Sequence, residues 1–315
     1  MRIFIAGATG AVGSRLVPLL VEAGHDVTGS TRRDTGCEAL HAQGATGIVM
    51  DPLSAESVLA AVAEAKPEVI VHELTALSGL SGNLKKWDQE FAMTNRLRTE
   101  GTDHLLAAAA THGVRRFVAQ SFGGGWAYDR TGGAVKSEDD PLIGDPGKEA
   151  RASLAAIRHL EDTVTGAPGI EGIVLRYGNF YGPGNATSRD GALADLLRQG
   201  KLPVVGGGTG VWSFVHIDDV GSATVAAVER GAPGIYNIVD DEPAPVNQWL
   251  PFLAEQVGGK KPMRLPAWIA RPLIGQFGTA LMTSVRGSSN AKAKQALGWT
   301  PTYATWRQGF KTGIG

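Results

Sequence analysis

Residues 2–13 constrain this chain more than any other stretch: Arg-Ile-Phe-Ile-Ala-Gly-Ala-Thr-Gly-Ala-Val-Gly. The short apolar run predicts a buried strand. It passes at once into Gly7, Gly10 and Gly13, and an amphipathic stretch, Ser14 to Ala23, follows. Strand, glycine turn and helix in that order form the context of a dinucleotide-binding site. A tight turn needs residues without a Cβ, and so does close approach of backbone to a pyrophosphate. The helix start adds N–H groups and a positive dipole end. Thr9, Ala11 and Val12 of the same turn join the glycines as candidate cofactor contacts. The chain has 43 glycines, so spacing alone would fit a plain glycine-rich turn, and the flanking elements decide against that. Pro18 falls inside the expected helix and predicts a kink or a shifted start.

The 315 residues suffice for one large core, or for a core domain with a smaller companion. A formal net charge of -1 offers no basic field for nucleic acid. The single cysteine, Cys37, excludes an internal disulfide and fits a reducing compartment, with the thiol read as a bystander. No signal peptide is expected before the first strand. The late apolar segment from Pro266 to Val285 is interrupted by Arg271, Pro272 and Gln276, so no membrane span is expected. A cytoplasmic protein is the resulting expectation. No His, Cys and carboxylate spacing suggests a metal site.

Strand-like and helical patterns alternate through the first half. Strands are expected at residues 2–6, 26–30, 47–50, 69–72, 117–121 and 172–176. Helices are expected at 54–65, 87–112 and 149–164. This alternation predicts a doubly wound parallel α/β sheet of Rossmann type, with ligands beyond the carboxyl ends of its strands. Past Gly182 the elements shorten. Strands are expected at 212–217 and 235–239, and helices at 191–198, 219–229, 248–257, 266–282 and 291–297. The expected division is a nucleotide-binding domain at 1–181 and a smaller substrate lobe at 182–315, parts of which return to the main sheet.

The end of the second strand bears on which nicotinamide cofactor is bound. An acid there would meet a ribose 2′-hydroxyl and repel a 2′-phosphate. The chain has Ser30, Thr31, Arg32 and Arg33 instead. Hydroxyls and guanidiniums suit a phosphate dianion, so NADP(H) is expected over NAD(H); the plain alternative is solvated surface arginines. Asp51, after the third strand, is placed for the adenine amino group, or for a helix cap before Pro52.

Seven segments together resemble the extended short-chain dehydrogenase/reductase family, the NAD(P)-dependent epimerase/dehydratase group. They are Gly7 to Gly13; Val71-His72-Glu-Leu-Thr-Ala76; Asn95 with Gly101-Thr102; Phe117-Val-Ala-Gln-Ser121; Leu175-Arg176-Tyr-Gly-Asn179-Phe-Tyr181-Gly182-Pro183; Phe214-Val-His216-Ile-Asp218-Asp219-Val220; and Leu297-Gly298-Trp299-Thr-Pro301. The resemblance implies that Leu74, Thr75 and Ala76 line the cofactor, that Asn95 belongs to its site, and that Tyr177 and Asn179 sit beside the nicotinamide. It also implies pairing of two copies through the helices at 87–112 and 149–164.

The departures matter as much. The family's Tyr-x-x-x-Lys pair is absent. In register with Glu161, Ser153 stands where Tyr is expected and Ile157 where Lys is expected. Ile supplies no cation, and a Ser hydroxyl is a far weaker acid than a phenol. Trp212 and Ser213 replace the Arg-Asp of nucleotide-sugar members, which implies a substrate without a diphosphate; Trp212 is either a substrate wall or packing between lobes. Ser121 is the family's substrate-orienting hydroxyl. Beyond it, three glycines lead to Trp126 and Tyr128 in a loop able to carry Tyr128 over the nicotinamide. Tyr128 is thus the first candidate for a substitute acid, or a rim residue, and Tyr181 the second. Phe122, Trp126, Trp212 and His216 are the candidate substrate contacts. His216 is a proton relay or a structural histidine, and Lys136 a pocket cation or part of a solvated loop. The expected activity is an NADP(H)-dependent oxidoreductase acting on a small, partly apolar carbonyl or alcohol. The alternatives are an epimerase or dehydratase that recycles its nicotinamide, and a non-redox NADP-binding sensor or scaffold.

Overall fold

A computed structural model describes residues 1–122 and 125–315. Five strands alternate with helices at the start: β1 (Arg2–Ala6), α1 (Gly13–Glu22), β2 (Asp26–Thr31), α2 (Asp34–His41), β3 (Thr46–Val49), α3 (Ala55–Ala65), β4 (Val69–His72), α4 (Thr102–Thr111) and β5 (Arg116–Phe122). Then come α5 (Arg151–Thr165), β6 (Glu171–Tyr177), α6 (Ile217–Arg230), β7 (Gly234–Ile238) and a long C-terminal helix, α7 (Ala267–Thr283). The strands form one sheet, all pairs parallel, in the order β7-β6-β5-β4-β1-β2-β3.

Alternation along each strand builds two cores. Ile3 and Ile5 of β1 face α1 and α6, while Phe4 and Ala6 face α3 and α4. Residues beyond 182 divide between two places. β7 completes the main sheet beside β6, and α6 packs on α1. The rest gathers around Phe214, Trp249, Trp306 and Phe310. Here strand Phe214–His216 pairs in parallel with Asn179–Tyr181.

Local chemistry redraws three expected elements. α1 continues through Pro18, which leaves the Ser14 carbonyl without its helical donor. The helix expected at 87–112 is four pieces: Trp87–Glu90, Ala92–Arg96, a π-turn at Leu97–Gly101, and α4. The widened turn keeps Thr94, Asn95, Arg98 and Thr102 all facing inward, where Thr94 Oγ1 accepts from Ala76 N (3.0 Å) and Thr102 Oγ1 meets His72 Nε2 (3.1 Å). α7 breaks at Gly275 (φ 78°, ψ 178°), so its halves point differently. Helices α2 and Trp306–Thr312 are additional to the expected set. Among the described residues, no helix is long and apolar enough to cross a membrane.

Candidate functional site

The glycine turn at the carboxyl end of β1 has no room for a side chain at Gly7 or Gly13. Gly7 has φ +92°, and a Cβ there would lie 3.0 Å from the Glu73 carbonyl carbon. A Cβ on Gly13 would come within 2.4 Å of Gly7 O and 2.5 Å of Ala8 O. Gly10 N donates to Gly7 O (3.0 Å) and Ser14 N to Gly10 O (2.9 Å), which closes the turn on the head of α1. Thr9, Gly10 and Ala11 are exposed above it, with Val12 and Gly13 buried beneath. This backbone cradle at a helix N-terminus fits a pyrophosphate.

Beside it, Arg32 and Arg33 are exposed at the end of β2. The Thr31 hydroxyl contacts the backbone of Arg33 (3.4 and 3.5 Å). Thr31 is buried, and a Cβ on Gly36 would lie 2.0 Å from its hydroxyl oxygen, so its side chain is packing under α2 rather than a phosphate contact. Asp51 is exposed and accepts from Leu53 N (3.0 Å) in its own turn. The cap of α3 is Ser54, whose hydroxyl accepts from Ser57 N.

After β4, Leu74, Thr75 and Ala76 are half-buried next to the glycine turn; a Gly7 Cβ would lie 3.2 Å from Leu74 N. Glu73 points the other way, into the core. Its Oε1 lies 2.8 Å from Tyr177 Oη, which lies 2.8 Å from Thr224 Oγ1, and Thr224 donates to Val220 O (2.8 Å). Thr224 has one hydrogen and gives it to Val220, so it accepts from Tyr177. Tyr177 then has none left for Glu73, and the hydrogen between them belongs to the carboxyl group. Burial likewise pushes the Glu73 pKa up to about 8. Tyr177 is therefore a core residue between β6 and α6, fully enclosed, and does not face a nicotinamide.

The end of β5 carries a second buried network. Ser121 Oγ donates to Glu161 Oε1 (2.7 Å), and Arg176 holds both oxygens of Glu161 (2.8 and 2.6 Å). Arg176 Nη1 also donates to Tyr128 Oη (2.9 Å), which donates to Asn237 Oδ1 (2.8 Å). Ser121 and Tyr128 are fully enclosed, so neither orients nor protonates a ligand from here. The glycines expected to swing Tyr128 include Gly123 and Gly124, which lie outside the described residues. Tyr181 is also enclosed, against Phe214, His216 and Phe310, and burial raises its pKa far above a phenol's usual value. His216 caps α6 through Asp218 N (3.2 Å), meets Gly313 O (2.8 Å) and stacks on Tyr303, a structural role rather than a relay. Lys136 is buried on Asp140 (3.0 Å). Asn179 Nδ2 donates to Ser213 O (2.9 Å), tying two strands together.

The α5 face expected to carry the Tyr and Lys looks different. Asp88 caps the helix, accepting from Ala152 N (2.8 Å), Ser153 N (2.9 Å) and Ser153 Oγ (2.6 Å), while Asn95 Nδ2 donates to Ser153 Oγ (3.2 Å). Asn95 thus supports a helix cap. Ile157 joins an apolar cluster with Trp126, Leu154, Phe277 and Leu281, against which Phe122, Trp87 and Trp212 pack. Trp126 meets Phe277 edge-on (5.3 Å) and Trp87 at 6.3 Å; both indole N–H groups are buried and unpartnered among the described residues. Trp212 packs on this cluster and on the C-terminal one, and donates to Leu281 O (2.8 Å). Trp87 and Phe277 of this wall were not among the sequence candidates. They come from distant segments, and only the large apolar side chains at 87 and 277 hinted at them.

The family model described as "NAD dependent epimerase/dehydratase family" matches residues 3–239. The 3-diazoavenalumate denitrifying reductase of Streptomyces sp is 46% identical over 312 residues, covering 98% of this chain and 99% of that protein. The 2-alkyl-3-oxoalkanoate reductase of Stenotrophomonas maltophilia is 28% identical, covering 83% of this chain and 77% of its own. The structure of Thermus thermophilus UDP-glucose 4-epimerase in complex with NAD superposes with a TM-score of 0.75 at 25% identity, covering 100% of this chain and 98% of that one.

Proposed function

The chain belongs to the NAD dependent epimerase/dehydratase family, and from that premise we propose that it is an NADP(H)-dependent reductase that replaces the diazo group of a planar aromatic carboxylate with hydrogen. The observation that carries this reading is the α5 face, where Ser153 is part of a helix cap and Ile157 part of an apolar wall. Carbonyl reduction leaves an alkoxide that needs a proton from a positioned acid. The hydroxyls of Ser121, Tyr128 and Tyr177 are bonded inside the core, and that of Tyr181 is sealed in it. Loss of dinitrogen makes no such demand. When bound, the reduced nicotinamide supplies the hydride: a C–H bond forms at the ring carbon, and N2 leaves with the C–N bonding pair.

The chain's own residues supply the surroundings. Gly7, Gly10 and Gly13 admit the pyrophosphate, with Thr9 and Ala11 above it. Arg32 and Arg33 favour a 2′-phosphate, with no acid at Ser30 or Thr31 to oppose it. Trp87 and Trp212, only partly buried, are the rings available to a flat substrate, with Trp126 and Phe277 packed behind them. The 46%-identical relative, by its name, works on a diazo compound. A second reading, carbonyl reduction as in the 28%-identical relative, would need a proton from outside these hydroxyls. A shallow apolar groove between α4 and α5, lined by Leu106, Ala110, Ala167 and Ile170, supports a homodimer, and the lone free Cys37 a reducing, cytoplasmic setting.

The test is turnover of an aryl diazonium carboxylate with NADPH or NADH. Release of N2 matched to cofactor oxidised, faster with NADPH, and deuterium from 4-deuterated NADPH at the ring carbon are expected. Cofactor oxidised by ketones alone would favour the second reading. Tight NADPH binding without any turnover would leave a sensor or scaffold.

A further inference from the structure

Arg130 differs from two arginines of this protein, the buried Arg176 and the exposed Arg151, whose guanidinium edges are satisfied. Arg176 and Arg151 each turn the Nε–Nη2 edge of the guanidinium onto a carboxylate, Glu161 and Asp145 respectively, with contacts of 2.6 to 3.0 Å. That edge matches the two oxygens of a carboxylate side-on. Arg130 presents the same two atoms, Nε and Nη2, buried and without a partner among the described residues. A buried guanidinium edge with no acceptor is costly in the free protein.

Neighbouring acids do not fill it. Asp129 Oδ1 accepts from Thr131 N (2.8 Å) and from the Thr131 hydroxyl. Asp145 is taken by Arg151 and by Gly147 N (3.0 Å). The Arg130 backbone is fixed instead. Arg286 clamps its carbonyl through Nε (2.9 Å) and Nη2, and Asp129 N donates to Pro141 O (2.9 Å). Gly125 lies against Arg286, a Cβ there falling 1.6 Å from Arg286 O. The segment from Gly125 to Arg130 thus leaves the carboxyl end of β5, where ligands of such sheets bind, with Trp126 already in the aromatic wall.

We infer that Arg130 is the carboxylate anchor of the substrate site, taking one aromatic carboxylate side-on through Nε and Nη2. The inference rests on the proposed function for the class of substrate, an aromatic acid, and the wall of Trp126, Trp87 and Phe277 suits the ring of the same molecule. Burial holds the guanidinium below the ordinary arginine pKa, with the charges of Asp129 and Asp145 acting the other way.

The experiment compares cinnamate with cinnamamide, which differ in charge but hardly in shape, by calorimetry on the NADP+-loaded protein. Wild type is expected to bind the acid at least tenfold more tightly. Arg130→Met is expected to lose that preference, to keep its affinity for the amide and for NADP+, and to melt no lower than wild type, because an unpartnered charge has left the interior. Arg130→Lys is expected to fall between, keeping the charge without the fork. Equal affinity of wild type for acid and amide overturns the inference, and so does undiminished acid preference in Arg130→Met. A fall in melting temperature together with loss of both ligands would mark Arg130 as structural and overturn it too. No turnover enters this measurement, so an anchor that binds cinnamate stands even where diazo reduction fails, and the reverse holds as well.

Discussion

The hydrogen between Glu73 and Tyr177 ties stability to pH. The folded pKa of Glu73 is raised from the ordinary 4.5 to about 8, so the folded state holds a proton that the unfolded state releases. Its stabilising effect is whole below pH 4.5 and is lost as pH rises through about 8. At about 1.4 kcal/mol per unit, the loss across this window is at most on the order of 5 kcal/mol. Glu73→Gln keeps a hydrogen-bond donor and removes the titration. The urea midpoint of wild type is expected to fall relative to that of the variant between pH 5 and pH 8.5; parallel curves would refute a protonated Glu73. At this scale the sequence was legible where sterics are local. Gly13 sits where no Cβ fits and Gly7 in a left-handed conformation tight against Glu73, and their spacing said so. It was opaque where side-chain direction decides. Ser121, Tyr128 and Tyr177 follow or end the expected strands, but whether a hydroxyl faces a ligand or the core depends on partners such as Glu161, Asn237 and Thr224, far away in sequence.

Among elements, α5 shows most clearly how the partners of a helix face set what it presents. Its register was readable from Glu161, and Ile157 is indeed on the face turned to the aromatic wall. Putting the expected cation back, Ile157→Lys, would bury an ammonium among Trp126, Leu154 and Phe277, with Glu161 one turn on already held by Arg176. A loss of about 3–5 kcal/mol is expected, seen as a drop of roughly 10 °C in melting temperature, with no ketone reduction gained. An unchanged melting temperature would mean that the position opens to solvent. The breaks at Leu97–Gly101 and Gly275 were harder to read. The first follows from inward polar residues that periodicity counts as outward. The second depends on Glu149, whose Oε1 would lie 2.9 Å from a Cβ on Gly275, a contact made across more than a hundred residues.

In the whole molecule, the alternation of the first half announced the parallel sheet, but not which late strand would close it. β7 reads like its short neighbours and differs only in finding β6 beside it. A fragment ending at residue 181 would leave β6 as a bare edge and strip α6 from the face of α1. Such a fragment is expected to elute as aggregates on size exclusion, whereas a monomeric, cooperatively melting fragment would contradict the interleaved core. The same interleaving bears on how a protein of this kind can acquire new substrates. The chain leaves the main sheet, returns for α6 and β7, and leaves again for α7. The part beyond residue 182 cannot therefore be grafted on as a cassette. Change has to come residue by residue on surfaces already in place, and the segment bearing Trp126 and Arg130, pinned by Arg286 at both ends, keeps its shape while its side chains vary.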